Sequence, residues 1–295
     1  MKPILPLLIV GTLLGGTFPE SIRGAGTSMR LVTLGTLPAE VVVELGLKAQ
    51  LEGMDQSAAA FVSLVPGAKV LNYHRQTSSE GVLSLNPTHV ILTDAAGPPV
   101  AIRQIRQAGV QMLEVAEPRS WSEVLKNIQT IGSFLGKAQE AAEIVKRMQE
   151  QKETVDSLLE AVRASSDPVR VLFVMNASEG GNLLCAGQAS GAEAVISMAG
   201  AENAATGFEG YKPLTSEALS TLNPDVILYP GGGAHGGGSM GPILIDHPGL
   251  RSSPAAKNGR VHGINLTRML GFGPSLAPQL LELVQFFYPE RSRDA

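Results

Sequence analysis

SEGVLSLNP (residues 79–87) and SEALSTLNP (residues 216–224) are identical at their first two and last three positions, and each leads into an apolar β-rich run, HVIL in the first case and DVIL in the second. Ser-Glu is helix-start chemistry and Asn-Pro stops a helix, so one reading is that the same local signals were simply used twice. The segments entering the two helices also match in kind. LNYHRQTS (71–78) and GFEGYKPLT (207–215) each present a tyrosine with a cation close behind it, Tyr73 with Arg75 and Tyr211 with Lys212. Recurrence of a whole loop–helix–strand unit is the mark of an internal duplication and predicts two similar lobes. If those lobes face each other, the two tyrosine segments stand on opposite walls of one cleft, a preferred place for a ligand.

Working outward, RLVTLG, THVILTD, VQMLEV, VRVLFVM and DVILYP are short β-branched runs separated by amphipathic stretches. That alternation predicts an α/β fold with largely parallel sheets, here two Rossmann-like lobes. From Lys137 to Arg163 the apolar positions Ala141, Ile144, Val145, Met148, Val155, Leu158, Leu159 and Val162 keep helical spacing. A helix of that length reaches about 40 Å and acts as a stiff connector. The expected organisation is a leader at 1–26, an N-terminal lobe at 27–136, a connecting helix at 137–166 and a C-terminal lobe at 167–295.

With 295 residues, 44% apolar and 17% charged, the chain has ample material for a core. A net charge of −4 without a sustained Lys/Arg run excludes a nucleic-acid footprint. MKPILPLLIVGTLLGG carries one early lysine and an apolar run too short to span a bilayer, followed by small residues, which reads as a secretory signal peptide; an uncleaved anchor is the alternative. Cys185 is the only cysteine, so no internal disulfide forms and the leader lacks the cysteine of a lipid-anchored export signal. Cys185 itself reads as a small buried residue. The expectation is a soluble monomer in a periplasm.

An ionised tyrosine is a hard oxygen donor suited to ferric iron and serves as an axial ligand in some haem proteins. Its ordinary pKa near 10 is the obstacle, and a guanidinium such as Arg75 favours the phenolate. Tyr73 with Arg75 is therefore coherent as a metal-binding pair, against the competing reading of a tyrosine resting on a surface loop. His74 in an extended segment points away from Tyr73 and reads as a bystander. Lys212, Tyr211 and Arg268 are candidate contacts for carboxylates on a ligand. Glu80 and Glu217 sit in first helical turns, where a carboxylate suits the dipole and Thr77 with Glu80 fits a capping box; as a symmetric pair they are also candidate docking charges. PGGGAHGGGSMGP (230–242), with His235, lacks phosphate-loop spacing and reads as a surface loop. No HExxH or CxxC pattern occurs, which argues against zinc chemistry.

The order NYHR, SSEGVLSLNP, AAGPPVAIRQIRQAGV, LCAGQASGAEAVISMAGAENA, GFEGYKPLTSEAL and LGFGP, over about Leu31 to Phe287, resembles the haem-binding periplasmic proteins of bacterial haem-uptake ABC transporters. SE…LNP is shared more widely with cobalamin and siderophore carriers. The resemblance implies two lobes on a single backbone helix, with haem as transported ligand in the cleft between them. It implies Tyr73 as the haem-iron ligand with Arg75 at its phenolate, and Tyr211, Lys212 and Arg268 around the pocket. It implies Glu80 and Glu217 as the charges that dock on an inner-membrane ABC permease. VMNASEGG (174–181) lacks the histidine with which some relatives hold a second haem, leaving Met175 nearby, so one haem is expected. A siderophore or cobalamin carrier is the alternative within the class, and an exported α/β enzyme the alternative outside it.

Overall fold

The computed structural model describes residues 28–164, 167–177, 181–231 and 240–289. The leader, most of the Gly-rich segment with His235, and residues 178–180 lie outside the described residues. The N-terminal half runs β1 (Leu31–Leu34), α1 (Thr36–Glu44), β2 (Leu51–Asp55), β3 (Lys69–Leu71), α2 (Ser79–Leu83), β4 (His89–Thr93), α3 (Pro99–Gln107), β5 (Gln111–Val115) and α4 (Trp121–Phe134). α5 (Ala138–Arg163) follows. The C-terminal half runs β6 (Arg170–Ala177), β7 (Leu183–Ala186), α6 (Gly191–Met198), β8 (Glu202–Asn203), β9 (Tyr211–Leu214), α7 (Ser216–Leu222), β10 (Val226–Pro230), α8 (Met240–Asp246), α9 (Pro254–Lys257), β11 (Val261–Ile264), α10 (Leu266–Leu270) and α11 (Leu276–Phe287).

The first sheet is wholly parallel in the order β3-β2-β1-β4-β5. The second sheet departs from the parallel expectation. β11, β10, β6 and β8 are parallel, but β7 and β9 extend β6 with antiparallel pairing. The repeated unit is structurally equivalent in both halves: α2 leads to β4, paired parallel with β1, and α7 leads to β10, paired parallel with β6. Both helix ends rely on asparagine in the left-handed region, Asn86 at φ 47° and Asn223 at φ 43°. Asparagine tolerates that conformation better than most residues, which gives the shared Asn-Pro a backbone reason.

The expected Thr77–Glu80 capping box is not the cap that forms. Ser78 caps α2 by accepting from the Gly81 amide at 3.1 Å, and Thr77 turns inward to donate to the His74 carbonyl at 2.6 Å. Thr215 caps α7 in the manner of Ser78.

α5 has 26 residues, about 39 Å of helix. Its first half buries Ala141, Ile144, Val145 and Met148, its second Val155, Leu159 and Val162, and it packs on α4 in one lobe and α11 in the other. α4 approaches closely because Gly132 has no Cβ, whose place is taken by the Ala141 side chain. One apolar cluster continues from Leu31 and Ile91 through Met148 and Leu159 to Phe173 and Leu280, joining the lobes along this helix.

A second tie crosses at the floor between the lobes. Glu40 of α1 is 4% exposed, and its Oε1 accepts from the Ser275 amide at 2.7 Å, while Oε2 is buried without a hydrogen-bond partner. Gly273 lies so close that any Cβ there would overlap this carboxyl group. Burial pushes the Glu40 pKa up to about 7, with the Ser275 hydrogen bonds opposing and Glu44 adding to the rise. A carboxyl raised in the folded state binds its proton more tightly than the unfolded chain does, so stability falls as pH rises from about 4.5 to about 7. Glu40→Gln should flatten that fall, by on the order of 3 kcal/mol across the window, read from urea melts at a series of pH values.

Candidate functional site

A cleft of about 600 Å³ opens between the lobes at the carboxyl ends of the parallel strands. Ligands of open α/β sheets bind at this edge. One wall is built from the β1–α1 turn at Gly35–Leu37, from Tyr73, His74 and Arg75, and from Glu117, Pro118 and Arg119 beyond β5; the other from Met175, Ala189–Gly191, Gly210–Tyr211 and the α10 region ending at Phe272. Arg119 crosses between the walls, donating to the Ala189 carbonyl at 2.8 Å.

Asp55, at the end of β2, organises the first wall. Its carboxylate is wholly buried and accepts from the Gly35 amide (2.7 Å), the Ser57 amide (3.1 Å) and hydroxyl (3.0 Å), and the His74 amide (3.0 Å), with His74 Nδ1 at 3.0 Å. These bonds pin the turn His74–Gln76, which Tyr73 precedes, to the ends of β1 and β2. The turn is a tight 3-10 helix rather than the extended segment expected. His74 is nevertheless driven inward at 6% exposure while Tyr73, at 37%, faces the cleft, and the two rings meet with centroids 4.3 Å apart.

Burial alone would lower the His74 pKa, but the hydrogen bond to Asp55 and the nearby Glu117 carboxylate outweigh it and raise it. Burial likewise opposes ionisation of Asp55, and His74 with the Gly35 amide overcomes it, holding the carboxyl below its ordinary range. Glu117 is lowered chiefly by His74, against burial and with Arg75 assisting. Arg75 lies between Tyr73 and Glu117: its Nε donates to the Tyr73 hydroxyl at 3.3 Å, and its Nη2 donates to both Glu117 oxygens at 2.9 and 3.1 Å.

Tyr211 lines the opposite wall at the start of β9. Burial in the cleft pushes its phenol up to about 12, opposed by the Ala192 amide at the start of α6, so this tyrosine stays neutral. Two expected pocket residues stand elsewhere. Lys212 is next along the strand, so the two-residue alternation turns it to the other face, where its Nζ lies 5.6 Å from the Phe208 ring centroid. Arg268 is exposed on α10, whose cleft-facing residues are Leu266, Thr267 and Leu270; its charge acts on Glu40. Glu80 and Glu217 are exposed in the first turns of α2 and α7. Cys185 is fully buried in β7 and its thiol is pushed up to about 12 by burial, which makes it inert. Among the described residues no group of three or more His, Cys, Asp or Glu side chains is placed to hold a metal.

Asp55, Glu117 and Arg119 escaped the sequence reading. Asp55 reads there as an ordinary strand-end turn residue in MDQS, and Glu117 as one acidic residue in AEPRSWSE.

Two α/β lobes on a shared helix with a ligand-sized cleft between them have the architecture of a substrate-binding protein. A family model described as "Periplasmic binding protein" matches residues 31–265, and the chain belongs to that family, whose members bind substrates for transport rather than transform them. Among solved structures, the periplasmic heme-binding protein BhuT in complex with two hemes is 33% identical, with 89% of this chain and 98% of that chain covered and a TM-score of 0.81. RhuT from Roseiflexus sp. RS-1, a periplasmic heme-binding protein in apo form, is 30% identical over 90% of this chain and 99% of that one, with a TM-score of 0.80. The uncharacterized ABC transporter substrate-binding lipoprotein YvrC of Bacillus subtilis (strain 168) is 25% identical over 267 residues, 90% of this chain and 82% of that protein.

The buried Asp55–His74 pair supplies a test of this wall. Asp55→Ala strands a buried charge and should cost about 3–5 kcal/mol of stability. Asp55, lowered, contributes above its ordinary 3.8 and loses that contribution as pH falls through its folded value; His74, raised, contributes below its ordinary 6.5 and loses it as pH rises through its folded value. The stability gap between wild type and Asp55→Ala is therefore widest between pH 3.8 and 6.5 and narrows on both sides, as equilibrium unfolding at stepped pH will show.

Proposed function

We propose that the protein captures ferric haem in the periplasm and delivers it to an inner-membrane ABC permease. The observation that carries this reading is the Tyr73–Arg75 pair on the cleft wall, with the guanidinium Nε 3.3 Å from the phenolic oxygen. A phenolate is a strong donor for ferric iron, and a guanidinium at that oxygen stabilises the charge it acquires on binding. Tyr73 is the proposed iron ligand, with Arg75 as its hydrogen-bond donor and Tyr211 as a neutral ring on the facing wall. Lys212 and Arg268 are turned from the cleft lining and take no ligand contact in this scheme. His74 is no ligand in this scheme, because its ring is buried with Nε2 turned toward Glu117 at 3.8 Å, while the exposed Tyr73 oxygen faces the cleft.

A cleft of about 600 Å³ falls in the range of a site for one small molecule. One haem is the proposed load, with Met175 of β6 among the residues lining the cleft. The names of the relatives support the ligand class, and the family supports the periplasm. We assign a soluble rather than lipid-anchored form, since the only cysteine is buried within β7.

Hemin added to the purified protein should give a tyrosinate-type ferric spectrum saturating at one equivalent. Tyr73→Ala should weaken binding by at least about a hundredfold, beyond the loss typical of an outer-shell partner. Unchanged affinity in that variant rejects the ligand assignment, whereas a wild type that takes up no hemin rejects the haem reading, and a thermal-shift panel with siderophores and cobalamin then identifies the cargo.

Glu80 and Glu217 are the proposed permease-docking charges, exposed at equivalent helix starts of the two lobes. Glu80→Arg combined with Glu217→Arg should abolish haem uptake in cells and leave hemin affinity in solution unchanged. Normal uptake by the double variant would remove the docking role.

A further inference from the structure

We propose that Glu117 is the positioning residue of the iron-ligand pair, holding Arg75 on the Tyr73 oxygen and keeping it from the ligand's own carboxylates. The proposal rests on the haem reading above. Arg75 is a long side chain, about half exposed on a cleft wall, and a guanidinium so placed ordinarily samples many rotamers. Here it is held from behind. Both Glu117 oxygens accept from its Nη2, at 2.9 and 3.1 Å, which leaves Nε directed at the phenolic oxygen 3.3 Å away. Charge-assisted bonds of this kind are the strong ones among hydrogen bonds.

Glu117 is itself anchored. Its amide donates to Asp94 Oδ1 at 2.9 Å, and its Oε1 lies 3.8 Å from His74 Nε2, which has no hydrogen-bond partner. His74 is fixed by the buried Asp55, so the loop beyond β5 and the turn after β3 are joined through Glu117 on both its cationic neighbours. The chain of contacts closes on itself, because Tyr73 and His74 are adjacent and their rings touch. Removing Glu117 opens that ring at the one member contributed by the loop beyond β5, and Arg75 becomes free to swing toward any anion in the cleft.

The test is hemin titration of the full chain with absorption spectra, comparing Glu117→Ala, Glu117→Gln, Arg75→Ala and the Glu117→Ala/Arg75→Ala double variant. Glu117→Ala should weaken hemin binding about tenfold and shift the ferric spectrum toward that of Arg75→Ala. Glu117→Gln, which keeps an acceptor oxygen, should recover most of the wild-type spectrum. In the Arg75→Ala background Glu117→Ala should add nothing, since its effect passes through Arg75. Glu117 is 39% exposed in its side chain, so the variants should fold, and unchanged melting temperatures verify this. Wild-type affinity and spectrum in Glu117→Ala, or additive losses in the double variant, overturn the positioning role while leaving haem binding standing. A wild-type chain that takes up no hemin overturns both readings.

Discussion

The buried carboxylate of Asp55 is the constraint on which the first wall of the cleft depends. A charge removed from water is tolerated only when its lone pairs are satisfied, and here two backbone amides beyond its own loop, a hydroxyl, a further amide and an imidazole converge on it. Those donors come from the ends of β1 and β2 and from the turn after β3, so the requirement to satisfy one charge brings three loops to a single arrangement. Tyr73 is exposed as a consequence: its neighbour His74 is consumed inward, and the short turn leaves the phenol no direction except the cleft.

The second wall is placed by different means. It hangs on α5 and on an apolar core that runs without interruption beneath both lobes, so the lobes share packing and not merely a linker. Against that continuity, Glu40 is the local exception, a carboxyl buried across the lobe boundary with one oxygen unpaired. The penalty falls on the contact between α1 of one lobe and the start of α11 in the other. Polar contacts that are only half satisfied are where a packed interface yields first.

Much of this architecture was legible in the sequence because it is written in local periods. The repeated SE…LNP unit, the β-branched runs and the helical spacing from Ala141 to Val162 each depend on neighbours within a few residues, and all three are found in place. The antiparallel β7–β9 extension was not legible, since pairing direction is decided between distant strands. Asp55 and His74 are 19 residues apart, Arg75 and Glu117 are 42 apart, and Glu40 and Ser275 are 235 apart, separations over which a single sequence carries no pairing signal. Lys212 is the instructive case. It was grouped with Tyr211 as one motif, yet the alternation of a strand assigns adjacent residues to opposite faces, a rule that becomes usable only once GYKPL is known to be a strand and not a loop.

The electrostatics of the first wall carries the argument one step further. His74 and Arg75 are raised while Asp55 and Glu117 are lowered, so each of these side chains favours the charged form of its partner. On the proposed reading the metal core of ferric porphyrin would bring one positive charge and Tyr73 would release its phenolic proton to solvent, so the iron–phenolate unit held at the wall would be neutral. A wall richer in positive charge would favour the phenolate in the absence of ligand, and one richer in negative charge would oppose it in the presence of ligand. On the proposed reading Glu117 therefore acts on the site through Arg75, whose guanidinium it aims at the Tyr73 oxygen, so a carboxylate with no direct contact to the ligand bears on how tightly the ligand is held.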